Sequence, residues 1–427
     1  MKSGELRPRV LIIGAGMITY DLILPSVYHM QRDARIGDIT VCATSSRHIR
    51  ELKESPEIAD AFPGQDFLAM PDPLADPAER YPELYKEALR GLSPRQIVIV
   101  AIPDQLHFGV VMDCLEARQH VLCVKPLVLT YAEAEAIREK ALEYGLFVGV
   151  EYHKRFDRRA LLARRQYRQG AFGEFVIGEA KLIEPYLYRH SNFQNWFTVE
   201  NSDPFVYIGC HYVDQVAFIT GLLPTAVSVS GIKGKFPNGN EAYMWANGRV
   251  KFENGALLSV TNGLGYPDEG AGSNEQCITM FCEGDGKTGL IKHNDQFRGV
   301  SHSYVGAEGP GGSRFNFINP DFFKIVAWQG EGGKPAGYGY DSIEANLTAI
   351  LDLEEIAEES DSVEARRQFV QSIDRRGIIA TPANSSYNEL VTEAARISIG
   401  RDGDWVEIAY GPSPGIHPRG QKGVPRG

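Results

Sequence analysis

The stretch Arg9-Val10-Leu11-Ile12-Ile13-Gly14-Ala15-Gly16, continuing through Met17-Ile18-Thr19 to Pro25, decides the fold. Val10 to Ile13 is a short, unbroken apolar run rich in β-branched residues, and it stops at a glycine. That is the pattern of a strand buried on both faces in a parallel sheet. Gly14 permits a tight turn, and Gly16 lets a bound group come close to the backbone. A helix starting there aims its unpaired amides and the positive end of its dipole at whatever lies over the turn, a position that suits a pyrophosphate. Thr19 stands where the third small residue of a dinucleotide-binding fingerprint is usual.

Further on, Asp38–Thr44 reads as a second strand, and its end meets the adenosine ribose in a dinucleotide fold. An acid there would bind the 2′-hydroxyl of NAD. The chain instead has Thr44-Ser45-Ser46-Arg47. Two hydroxyls and a guanidinium suit a 2′-phosphate and lean towards NADP; the alternative is that Ser46 and Arg47 only open the helix His48–Lys53. Pro56 to Arg95 is rich in proline and acids, with a helix expected at Tyr81–Leu92. Ile97–Ile102 is a further apolar strand, leading to Pro103 and His107. The helix Phe108–Ala117, the strand His120–Val124, Lys125-Pro126, an amphipathic helix Thr130–Tyr144 and the strand Leu146–Val150 follow. Strands alternating with helices in this way make an α/β, doubly wound parallel sheet.

The second half changes character. Glu174–Glu184, Ala226–Ile232, Gly248–Phe252 and Leu257–Asn262 alternate apolar and polar residues, the sign of a large, mostly antiparallel open sheet within an α+β domain. Gly299–Tyr340 is dense in glycine and in Phe, Tyr and Trp. It suits a loop over a sugar ring or against a neighbouring subunit, and equally an insertion with its own apolar cluster. Helices are expected at Ile343–Ala357, Ser362–Asp374 and Tyr387–Ile399. The expected domains are 1–152, 153–410 and a flexible tail, 411–427.

Composition narrows the function classes. At 427 residues the chain is too long for one typical core. A net charge of -11 leaves no basic surplus for broad nucleic-acid binding. Six scattered cysteines contain no Cys-x-x-Cys, so neither a disulfide framework nor a zinc or other metal site is expected. With no apolar stretch long enough to span a bilayer and no signal-like start, a cytoplasmic location is expected.

Ile102-Pro103 with His107, and His120-Val121-Leu122-Cys123-Val124-Lys125-Pro126, resemble the Gfo/Idh/MocA oxidoreductase family. Members carry Thr-Pro-x-x-x-His and His-Val-x-x-Glu-Lys-Pro; Ile102 and Val124 depart from that pattern. Gly149 to Asp157 resembles the family's link into its second domain, and Gly209-Cys210-His211-Tyr212-Val213-Asp214 its Gly-x-His-x-x-Asp segment. The matches run in family order from residue 9 to about 225. The resemblance implies an NAD(P)-dependent dehydrogenase acting on a ring hydroxyl of a sugar, glycoside or cyclic polyol, working as a homo-oligomer (dimer or tetramer). The open sheet is expected to close over the nicotinamide and to help form the oligomer. Cofactor contacts are expected at Gly14, Gly16, Met17, Ile18, Ser45, Ser46, Arg47, Ile102, Pro103, His107 and Lys125.

Lys125, after a buried strand at the carboxyl edge of the sheet, suits a group that steadies negative charge growing on a substrate oxygen. His211 suits a base with a pKa near neutrality. Helical spacing over Phe205–Leu222 puts Tyr207 and His211 on one face. In many members an Asp stands where this chain has Tyr207, so the base role falls mainly on His211. Asp214 reads as a packing or orienting residue. Strand alternation would put Tyr152 and Lys154 on one face and His153 and Arg155 on the other, with Lys154 facing substrate. Trp196 offers an aromatic platform or a core residue. Two other readings stay open: a redox-cycled, NAD-dependent glycoside hydrolase, and a non-catalytic cofactor sensor, which the presence of both Lys125 and His211 disfavours.

Overall fold

The computed structural model describes residues 7–270, 274–284, 286–294, 322–360 and 362–419. They form two compact units, each drawn from separate parts of the chain. The first unit comprises Met1–Leu127, Glu133–Phe156 and Phe322–Asn384. Its sheet contains β1 (Val10–Ile13), β2 (Ile39–Cys42), β3 (Leu68–Met70), β4 (Ile97–Val100), β5 (His120–Val124) and β6 (Val148–Glu151), in the order β3-β2-β1-β4-β5-β6. All neighbours pair in parallel. This is the doubly wound order, which places ligands outside the carboxyl ends of the strands where the order reverses, between β1 and β4.

The four residues of β1 and the four of β4 are buried throughout, as their unbroken apolar runs require. At about 1.5–3 kcal/mol for each fully buried large aliphatic side chain, this layer is a main source of the unit's stability. Ile343, Leu347, Ile350 and Leu353, spaced at three and four on the helix Tyr338–Ser360, belong to the same core. That packing is why the chain returns to the first unit after residue 321, where the sequence suggested one cut near residue 152. His120 of β5 reinforces the return. Its Nδ1 accepts from the Phe147 amide (3.0 Å), which leaves Nε2–H to donate to Glu354 (2.9 Å).

The second unit comprises Val128–Ala132, Asp157–Asp321 and Ser385–Gly427. Its eight-stranded sheet contains β7 (Glu174–Pro185), β8 (Pro224–Lys235), β9 (Glu241–Phe252), β10 (Leu257–Tyr266), β11 (Glu275–Gly284) and β12 (Lys287–Asn294). The short β13 (Lys324–Val326) and β14 (Lys334–Ala336) form a hairpin in the first unit. The eight-stranded sheet is completed by β15 (Val406–Ala409) and β16 (Gly415–Pro418), giving the order β12-β11-β7-β10-β9-β8-β15-β16. Only β7 and β10 pair in parallel. Part of the expected tail is therefore a strand, because Gly415–Pro418 pairs with Val406–Ala409. No helix among the described residues is long and apolar enough to cross a membrane.

Of the glycine- and aromatic-rich stretch, 299–321 lies outside the described residues. Its remainder packs on the first unit: the Arg32 guanidinium stacks 4.8 Å from the Trp328 ring centre and donates to the Gly333 carbonyl (2.6 Å).

Candidate active site

In the first unit the site is the carboxyl edge of the parallel sheet. The strand ends are tied by main-chain bonds from Gly14 N–H to Cys42 and from Ala101 N–H to Ile13, both 2.8 Å. Gly14 has φ +112°, and a Cβ there would lie 2.0 Å from the Ala101 carbonyl oxygen. Only glycine fits. Gly16 is different: a Cβ on it would meet no heavy atom within 4 Å. Among the described residues nothing beyond its chain neighbours crowds Gly16, so the space above it is open to a bound group.

Thr19 explains its own departure from the fingerprint. It is buried, and its hydroxyl donates to the Gly14 carbonyl (2.8 Å), holding the turn that a smaller residue would leave unbraced. The helix opens on a wide turn, Thr19–Ile23, in which the Leu24 amide reaches back to Thr19. Gly16 and Met17 are exposed, and Ile18 is half-buried. The first amides of a helix have no acceptor within it, so this exposed turn can receive a diphosphate. The residues present fit a dinucleotide.

At the end of β2 the structure gives the serines other work. Ser45 caps the helix Ser46–Lys53, accepting from the Arg47 amide, and its hydroxyl donates to the Pro77 carbonyl (3.1 Å). The Ser46 hydroxyl donates to Ala75 (2.8 Å). Both serines are buried. Of the expected phosphate-binding trio, only Arg47 is exposed, with its Nε 3.1 Å from Glu51.

His107 is likewise not placed to touch a cofactor. It is 0% exposed, and its ring faces the main-chain carbonyls of Ile102, Pro126 and Leu127. Ile102 and Pro103 are half-buried at the end of β4, with the Ile102 side chain beside Gly14. Lys125 is half-buried at the end of β5, before a cis peptide bond to Pro126.

The expected strand alternation at Tyr152–Arg155 does not occur. β6 ends at Glu151, and His153–Phe156 is a tight helical turn, so period-two facing is lost. Tyr152 and Lys154 are buried. Arg155 donates to Asn384 Oδ1 (3.0 Å), and His153 Nδ1 lies 2.9 Å from the Glu151 carboxylate. The His153 ring stacks on Tyr338, with centres 5.8 Å apart. The cluster is anchored by the returning segment Phe322–Asn384, which local sequence patterns cannot foresee.

In the second unit, the buried Asp203 starts the helical stretch by accepting from the amides of Phe205 (2.8 Å) and Val206 (3.0 Å). The pair Asp203-Pro204 is a helix-start signal legible in the sequence, an N-cap acid followed by proline in the first turn. A wide turn, Phe205–Gly209, precedes the helix Cys210–Thr220, replacing the uniform helix expected. Such turns recur at functional sites.

Two glycines seat this stretch on the sheet. A Cβ at Gly209 would lie 2.5 Å from Asn262 Oδ1, and one at Gly248 would lie 2.2 Å from the Phe205 ring. His211 is thereby fixed two residues after Gly209, buried on the helix. Asp214 accepts from the Tyr387 hydroxyl (2.8 Å) and the Asn388 amide (3.0 Å), a clamp between two helices. Tyr207 lies in an aromatic cluster with Phe193, Trp196 and Phe197, its ring centre 5.2–5.9 Å from theirs. Trp196 is half-buried there and shares its contacts with Tyr207. Among the described residues no cluster of His, Cys, Asp and Glu could hold a metal ion.

Residues 8–152 match the family model described as the oxidoreductase family, NAD-binding Rossmann fold, and residues 160–284 match the GFO/IDH/MocA C-terminal domain. The D-glucoside 3-dehydrogenase of Escherichia coli is 25% identical over 235 residues, covering 54% of this chain and 58% of that protein. An uncharacterised oxidoreductase of Schizosaccharomyces pombe is 34% identical over 128 residues, 30% of this chain and 34% of its own. The matches thus span between a third and three-fifths of these relatives' lengths. Among solved structures, an inositol dehydrogenase homologue from Azotobacter vinelandii, complexed with NADH and myo-inositol, has a TM-score of 0.59 at 20% identity, covering 94% of this chain and 97% of that one. At this identity the likeness speaks for the fold.

Proposed function

Since the chain belongs to the Gfo/Idh/MocA oxidoreductase family, we propose that it transfers a hydride between a nicotinamide dinucleotide and a ring carbinol of a sugar, glycoside or cyclic polyol. The observation that carries the reading is Gly16, a bare backbone position in open space over a turn that Gly14 and Thr19 hold rigid. A bound nicotinamide would supply the hydride acceptor. Lys125 steadies the growing alkoxide, and His211 accepts the hydroxyl proton. Tyr207, within its aromatic cluster, presents a phenol as hydrogen-bond partner and cannot replace an ionised carboxylate. The named substrates of relatives, a D-glucoside and an inositol, support the substrate class.

Selection between NAD and NADP is weak in this reading. The end of β2 continues as Ala43-Thr44, with neither acid nor cation, and the serine hydroxyls are spent on carbonyls, so Arg47 alone favours a 2′-phosphate.

A homo-oligomer is also proposed. Leu290, Phe281, Ile177 and Leu257 are register partners across β12, β11, β7 and β10, and all four are exposed. A contiguous apolar row across a sheet face is suited to a second copy of the chain.

The test is to incubate the protein with NAD+ or NADP+ and methyl D-glucosides or inositols, following reduced cofactor and product together. Stoichiometric NAD(P)H is expected. Hydrolysis without net reduction would move the reading to redox-cycled elimination, and failure to bind either dinucleotide would overturn it.

A further inference from the structure

We propose that His107 is a positioning residue that sets Lys125 in register with the dinucleotide turn; the inference rests on the functional reading above. His107 Nδ1 lies 2.8 Å from the Pro126 carbonyl oxygen and 3.1 Å from that of Leu127, and Nε2 lies 2.8 Å from that of Ile102. Carbonyls only accept, so hydrogen bonds to both loops at once need a proton on each ring nitrogen, as the imidazolium carries. The two ring nitrogens thus reach the loops after two adjacent strands, β4 and β5, from a wholly buried side chain.

Each loop carries one half of the site's requirements. The β4 loop underlies the dinucleotide turn: a Cβ on Gly14 would meet the Ala101 carbonyl oxygen at 2.0 Å and Ile102 Cγ2 at 3.2 Å. The β5 loop carries Lys125 immediately before the Pro126 carbonyl that faces His107. Parallel pairing between β4 and β5 ends at Val100 and Cys123. Beyond those residues the sheet no longer sets the spacing between the loops, and the imidazole spans the gap. Displacement of a catalytic group by about 1 Å can cost roughly a hundredfold in rate. A strap holding Lys125 relative to the turn therefore acts on turnover without touching the cofactor.

The experiment compares His107→Leu and His107→Gln with the parent. Four quantities are read: NADH affinity by fluorescence, kcat and KM on whichever methyl D-glucoside or inositol the parent oxidises, and amide hydrogen exchange of the cofactor-free protein. In His107→Leu, exchange across 124–129 should rise and kcat should fall roughly 10- to 100-fold. NADH affinity and KM should stay within about twofold. The Gln side chain retains an N–H donor that reaches one side of the gap, so His107→Gln should recover part of both losses. Should His107→Leu fail to fold, His107→Gln carries the comparison.

Parental kcat and exchange in the variant that folds would overturn the proposal. So would a loss of NADH affinity matching the loss of turnover, since His107 would then serve the cofactor. A parent that oxidises nothing while the variant's exchange across 124–129 rises would instead defeat the functional reading and leave the strap standing.

Discussion

Replacing Gly16 by valine separates what the fold needs from what the ligand needs. A Cβ at Gly16 meets no heavy atom within 4 Å, so the larger side chain enters open space. The expected change in folding stability is that of an ordinary surface substitution, within about 0.5 kcal/mol. For a dinucleotide the same methyls stand in its path. Displacing the diphosphate from two backbone amides forfeits two charge-assisted hydrogen bonds of about 1.5–3 kcal/mol each. Together that is about 3–6 kcal/mol, or roughly 10²- to 10⁴-fold in Kd. NADH titration by fluorescence alongside a urea melt reads both quantities. Gly14→Ala is the control. Its Cβ would lie 2.0 Å from the Ala101 carbonyl oxygen at φ +112°, so stability should fall sharply. Parental NADH affinity in Gly16→Val would refute the reasoning, as would a Gly16→Val protein that does not fold.

Arg47→Ala should weaken NADPH binding by up to about tenfold, leave NADH unchanged, and start from a parent that discriminates less than about tenfold; a parent that strongly prefers either cofactor contradicts the reading of the β2 end. His211→Ala should lower turnover by about 10²–10⁴-fold with little change in NADH affinity, and full activity would remove it as the base. Phe281→Asp combined with Ile177→Asp should shift the protein to a smaller species in sedimentation, and an unchanged species would move the interface elsewhere. The protein should lose stability between pH 7.5 and 5.5. Burial, above all, depresses the pKa of His29 and of His120 below the ordinary histidine value. The unfolded chain therefore takes up protons from about pH 6.5 downward that the folded state resists, so stability is full above that pH and declines below it. A urea midpoint unchanged or higher at pH 5.5 would contradict this.

The sequence by itself determined the parallel sheet, because continuous β-branched runs such as Val10–Ile13 and Ile97–Val100 suit strands covered on both faces. It also marked the glycine turn and the helix Tyr387–Ile399, whose bounds agree with the structure. These are local signals, set by sterics and periodicity within a few residues.

Tertiary structure decided what depends on partners far away in the chain. Ser45 and Ser46 look like phosphate ligands until Pro77 and Ala75 bring carbonyls to their hydroxyls. His107 looks like a cofactor contact until the Pro126 and Ile102 carbonyls face its buried ring, and Tyr152–Arg155 looks like a strand until Asn384 and Tyr338 anchor its turn. Phe322–Asn384 joins the first unit because the apolar face of Tyr338–Ser360 is buried in that unit's core, more than three hundred residues after β1. A buried polar group must find a partner somewhere, and local pattern cannot say where.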